Sequence, residues 1–160
     1  MKLIKITFKS KASEIDAEFE SLPETIQNIY NQFFHNINYS EFTKDDISYI
    51  YTSIDSSDFV RLLNILDNFS GEYLVEDISK EALYGKINTN QFEVVSQTGG
   101  VPSNAVSMVI NSFIDNNLNT DIVLEKITDL GRESLVDKDI EVLENGEVLE
   151  PVLPFKFIVR

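Results

Sequence analysis

Carboxylates are the side chains here with the greatest capacity for chemistry. Glu14, Asp16, Glu18 and Glu20 form the densest acidic run. At helical spacing Glu14 and Glu18 are i,i+4 neighbours, as are Asp16 and Glu20, and like charges so placed weaken an isolated helix slightly. A solvated helix face accounts for such a run. The functional reading is a patch that docks a basic surface, with the repulsion relieved on binding. The pairs Asp45-Asp46, Glu76-Asp77 and Asp137/Asp139 have oxygens suited to Mg²⁺ or Ca²⁺. None follows the spaced D-x-[DN]-x-[DN]-G loop of an EF-hand. The stretch from Asp115 to Asp121 is rich in oxygen but lacks the turn glycine, and a helix end explains its Asn and Asp content. No metal ligand, catalytic residue or cofactor site is assigned on these grounds.

His35 is the single histidine. A histidine mechanism needs a nucleophile or an orienting carboxylate beside it, and no G-x-S-x-G accompanies it. A structural role is favoured. The loop Thr98-Gly99-Gly100-Val101-Pro102-Ser103-Asn104 leads into an expected helix, where free N–H groups can hold an anion. It lacks the G-K-[ST] of a P-loop and the G-x-G-x-x-G of a dinucleotide site, so a plain strand–turn–helix junction is the better reading. Arg61 and Arg132 are scarce cations among many acids, and ion pairing is their expected use. Tyr49 and Tyr51 share one face of an expected strand, with Tyr39 nearby. Their acidic neighbours Asp45, Asp46, Asp55 and Asp58 argue against stacking on nucleic acid. Core packing or a protein interface fits better, since tyrosine is enriched at interfaces.

The chain has 160 residues, with 27 Asp+Glu against 13 Lys+Arg, a net charge of −14 and no cysteine. One domain is expected for this length. Eleven Phe and six Tyr provide core material that disordered chains lack. Without cysteine there are no disulfides, thiolate metal sites or Cys nucleophiles. No apolar run approaches the roughly 20 residues that span a bilayer. Lysines interrupt the apolar positions of the first eleven residues, so no signal-peptide core is read there and a cytoplasmic location is favoured. Residues 1–11 carry +4, residues 12–85 carry −12 and residues 86–160 carry −6. A field of this sign repels nucleic-acid phosphates and anionic lipid and attracts cationic partners.

The elements that must position these groups follow from periodicity. Residues 2–9 alternate as a strand, with Ile4, Ile6 and Phe8 on one face. Residues 12–22 place Ala12, Ile15, Phe19 and Leu22 at helical spacing. Pro23 opens a second helix with a stripe from Ile26 to Ile37. Residues 46–54 read as a strand. A helix follows, capped by Ser56, Ser57 or Asp58, with Phe59, Leu62, Leu63, Leu66 and Phe69 inward and Gly71 as its end. Residues 73–78 read as a strand, 79–85 as a helical turn closed by Gly85 and 91–96 as a strand. Ala105 to Ile114 form a helix ended by Asn116, Asn117 and Asn119. Residues 121–130 alternate as a strand. Residues 139–144 and 147–150 flank Asn145-Gly146, the preferred type I′ pair, which predicts a hairpin. Residues 155–159 read as a final strand.

The expected fold is therefore α+β: a mostly antiparallel sheet with three or four helices packed on it and a strand-rich C-terminal third. No motif reaches an enzymatic signature. The favoured function is an acidic, non-enzymatic protein that inhibits or neutralises a basic protein partner, of immunity-protein or small-inhibitor type. The partner-binding residues expected are Glu14, Asp16, Glu18, Glu20, Asp45, Asp46, Tyr49, Tyr51, Asp55 and Asp58. Neither direct nucleic-acid nor membrane contact is expected. Two alternatives stay open: a small carboxylate-dependent, cation-using enzyme or nucleotide sensor, and a structural subunit that homo-oligomerises.

Overall fold

The computed structural model describes residues 1–87 and 104–149. The first strand, β1 (Lys2–Lys11), runs directly into helix α1 (Ala12–Ser21), and α2 (Glu24–His35) follows after Pro23. A hairpin of β2 (Asn38–Lys44) and β3 (Ile47–Ile54) leads to α3 (Ser56–Leu66), β4 (Tyr73–Asp77) and the short α4 (Ser79–Leu83). Past residue 103 the described chain is helical: α5 (Asn104–Asn117), α6 (Thr120–Leu130), a 3₁₀ turn (Arg132–Ser134) and α7 (Asp137–Leu149). The four strands form one antiparallel sheet in the order β2-β3-β1-β4.

Both faces of the sheet are covered, so its strands sort their side chains between two cores. Ile4, Ile6 and Phe8 of β1 join Ile50 and Ile54 of β3 against Phe34 of α2 and Leu62 and Leu66 of α3. Leu3 and Tyr51 face the other way and pack with Ala82 of α4 and Val106, Val109, Ile110 and Phe113 of α5. The period of two in the strands thus meets helices on each side, giving three layers.

β1 is a central strand, which decides what becomes of its four lysines. Lys2 pairs with Asp77 at 3.4 Å, while Lys5 lies opposite Glu76 and 5.3 Å from the Tyr49 ring centroid. The positive start of the sequence is therefore partly neutralised within the sheet, while Lys9 and Lys11 are exposed.

Several expectations need correction. Residues 121–130 are α6, not a strand, and the backbone stays helical through Asn145-Gly146 within α7, so there is no hairpin there. The described part of the last third is helix-rich, and seven α-helices replace the expected three or four. β2 was not expected; it is an edge strand whose alternation is carried largely by polar residues. The cap of α3 is Asp55, whose carboxylate accepts from the Asp58 N–H at 2.7 Å. α3 ends at Leu66, and Gly71 instead serves a close approach: a Cβ there would lie 2.8 Å from Ser10 Oγ. Asn119 caps the start of α6 rather than only ending α5, accepting from Ile122 N–H at 3.0 Å. The expected strands at 91–96 and 155–159, and the loop from Thr98 to Ser103, lie outside the described residues.

Candidate functional site

The start of α1, the helix that carries the acidic run, meets the β2–β3 hairpin at one end of the sheet. β2 and β3 are joined by Asp45 and Asp46 alone, with Lys44 paired to Ile47. Both turn residues have positive φ, 53° and 65°, as a type I′ turn requires. Aspartate tolerates this region better than most residues. The turn meets the start of α1 through Ala12 N–H, which donates to the Asp46 carbonyl at 3.3 Å. Glu14, Asp16 and Glu20 of α1 are exposed, as are Glu41, Asp45 and Asp46 of the hairpin.

None of these six acids forms an ion pair with a described residue. Five acids elsewhere do: Asp58 with Arg61, Asp77 with Lys2, Asp129 with Lys80, Asp115 with Lys138 and Asp139 with Lys126; others, such as Glu24, Glu72 and Glu81, are exposed and form none with a described residue. Lys11 and Lys44 emerge at the same end and leave the acids in excess. Although Glu41 keeps surface exposure, partial desolvation of its carboxyl pushes it above the usual carboxylate range, and the nearby Asp16 adds to it. Holding Glu41 ionised at neutral pH therefore costs the native state free energy, which protonation or a bound cation would return.

The remaining expected contact residues are placed otherwise. Glu18 turns inward, and its Oε1 accepts from Ser70 N–H and, at 3.0 Å, from Ser70 Oγ. It fastens the link between α3 and β4 to α1. Glu18→Ala is expected to cost about 1–2 kcal/mol through these lost bonds, whereas Glu14→Ala should stay within about 0.5 kcal/mol; urea unfolding midpoints distinguish the two. Tyr51 belongs to the α5-side core at 4% exposure, and burial pushes its hydroxyl up to about 12. Tyr49 is half-buried between Phe42, with centroids 5.7 Å apart, and Lys5. Asp55 and Asp58 occupy the start of α3, beyond the opposite end of β3. At roughly 3.3 Å per residue, that strand sets them about 23 Å from Asp45 and Asp46. The ten residues therefore do not form one surface.

Where the end of α2 meets the start of β2, away from the Asp45-Asp46 turn, an open cavity of about 420 Å³ is lined by Tyr30, Asn31, Phe34, His35, Ile37, Asn38 and Tyr39. Helical spacing stacks Tyr30 and Phe34, whose centroids lie 4.5 Å apart, and Phe34 meets Tyr39 edge-on at 5.0 Å. His35 is exposed in the last turn of α2. Sequence reasoning assigned no function to Tyr30, Phe34 or Glu41. The signals were present as the i,i+4 aromatic pair and the same-face pair Tyr39 and Glu41, but the latter needed β2 to be recognised as a strand.

A second opening, of about 460 Å³, lies between α2 and α3. Its apolar wall includes Ile26, Ile29, Phe33 and Ile65, and Asp58 and Arg61 pair at its rim. Among the described residues no three His, Cys, Asp or Glu side chains are grouped to hold a metal ion, and no helix is long and apolar enough to cross a membrane.

No family model, curated protein or solved structure matches this chain. Its function must accordingly be argued from its own residues.

Proposed function

We propose that this protein is an acidic binding protein of the cytoplasm that covers, and so inhibits, a cationic surface on a protein partner, in the manner of an immunity protein or small inhibitor. One observation carries the reading: acids of α1 and of the β2–β3 hairpin come close, Asp16 beside Glu41 and the Asp45-Asp46 turn against the start of α1, and none of the four forms an ion pair among the described residues. Unpaired like charges at one place attract a complementary surface over a distance and accelerate encounter. The energy that holds such a complex comes from aromatic and arginine anchors at its centre more than from rim charges.

The test begins with capture of partners from the source cells at low ionic strength, followed by association kinetics. A partner of high isoelectric point is expected. Reversal of Glu14, Asp16 and Glu20 to Lys should slow association by roughly tenfold or more and flatten its salt dependence. Glu18 is left intact so that folding is not disturbed. A neutral or acidic partner, or rates indifferent to the three reversals, would overturn the reading.

A further inference from the structure

The aromatic cavity lies beside Asp16 of α1 and Glu41 of β2, whose charges act on its Tyr30. Its walls come from two elements that the fold fixes independently. Tyr30 and Phe34 stand one turn apart on α2, and Phe34 is almost fully buried against the sheet. Tyr39 comes from the edge strand β2 and is 42% exposed, so its ring remains open to an incoming group. Glu41 lies two residues along the same strand, on the same face as Tyr39. The Tyr30 hydroxyl experiences the charges of Glu41 and Asp16 directly, after the larger effect of its own burial. The cavity thus combines the open ring of Tyr39, phenolic and carboxamide oxygens and two nearby carboxylates that have no cationic partner among the described residues.

The ligand chemistry follows from that combination. Aromatic faces attract a cation through their quadrupole, and most strongly when the site is partly desolvated. A carboxylate in fixed geometry favours the planar fork of a guanidinium over a point-charge ammonium, because the fork can bond it twice while its plane stacks on a ring. We infer that the cavity walled by Tyr30, Phe34 and Tyr39 receives an arginine side chain of the partner, its guanidinium stacked on the open ring of Tyr39 and paired with Glu41. This assignment rests on the proposed binding function and names its central contact. An arginine so placed also relieves the repulsion between Glu41 and Asp16.

The experiment is an NMR titration of the full chain with N-acetyl-arginine-amide, read on the ring signals of Tyr30, Phe34 and Tyr39. N-acetyl-citrulline-amide, a neutral near-isostere, is the control. Saturable shifts at these rings with a millimolar Kd are expected. The citrulline compound should bind at least about fivefold more weakly, and Glu41→Gln should weaken the arginine probe by a similar factor. Tyr39→Leu, a change at an exposed ring, should reduce binding further while the backbone spectrum remains folded. Shifts that do not saturate, equal binding of citrulline, or indifference to Glu41→Gln would each overturn the assignment. The two levels fail separately. If the probe does not bind and the captured partner still shows charge-dependent association, the cavity assignment falls and the acidic-surface reading stands. If the probe binds at these rings but no cationic protein is captured, the cavity stands and the partner reading falls.

Discussion

Lys126→Met should destabilise the protein by about 3–5 kcal/mol, because it leaves the Asp139 carboxylate buried without its counter-ion. The pair joins α6 to α7 at 2.7 Å, and each side chain is only 2% exposed. Asp139 is also the third residue of α7, and its carboxylate accepts from Val136 N–H at 3.0 Å, satisfying a donor just ahead of the helix. Asp139→Leu should therefore be at least as costly, since it strands the ammonium and opens the cap. The double variant Lys126→Met/Asp139→Leu should recover most of the loss, as buried ion pairs commonly tolerate replacement by apolar residues of similar volume. Its remaining deficit should be about 1–3 kcal/mol, from the orphaned Val136 N–H. Urea unfolding of the four proteins forms a double-mutant cycle. Single variants each costing under about 1 kcal/mol would mean that water reaches the pair.

Phe113→Ala is the other large effect, at about 3–5 kcal/mol, with a Tm lower by roughly 10 °C or more. Phe113 is 1% exposed and is the largest of the fully buried side chains. It belongs to the core that α5 builds over Leu3 and Tyr51, where α4 adds Ala82. Phe113→Leu should cost markedly less by filling most of the volume. On the same helix Met108 is 64% exposed, and Met108→Ala should change Tm little. Calorimetry of the three variants checks the ordering. Similar losses for Phe113→Ala and Met108→Ala would contradict the packing described.

The elements legible in the sequence were those whose buried faces are apolar throughout. β1 alternates Ile4, Ile6 and Phe8, and α2 and α3 carry unbroken stripes, so periodicity alone found them. α6 was hidden by its own ion pair. Its two buried positions are Val123 and Lys126, and a lysine in the inward stripe erases the period of 3.6 that would have marked a helix. Ile122 and Leu124 then read as alternation. α7 was hidden by the local turn preference of Asn145-Gly146. The bonds of Asp139 to Lys126 and Val136 fix the start of that helix through contacts remote in sequence. A glycine within a helix costs only about 1 kcal/mol, so tertiary contacts can override it.

The candidate site divides along the same line. The acidic run was visible because charge density is a property of neighbours in sequence. That Glu18 bonds to Ser70, or that Asp16 faces Glu41 across two elements, depends on where the chain folds back. The long-range partner of each carboxylate decides whether it is a fastening or a free charge, and no local pattern encodes it.

The place of β1 in the sheet has a consequence for how the chain comes into being on the ribosome. Residues 2–11 leave the exit tunnel before their hydrogen-bonding neighbours, which are residues 47–54 on one side and 73–77 on the other. An apolar, β-prone segment must therefore wait while more than 60 further residues are translated, at about 5–20 residues per second. It exposes both of its edges until residues 47–54 follow and one edge until residues 73–77 do, the condition under which strands pair wrongly between chains. The lysines at positions 2, 5, 9 and 11 punctuate this segment, and charges so placed guard a nascent strand against association with its copies.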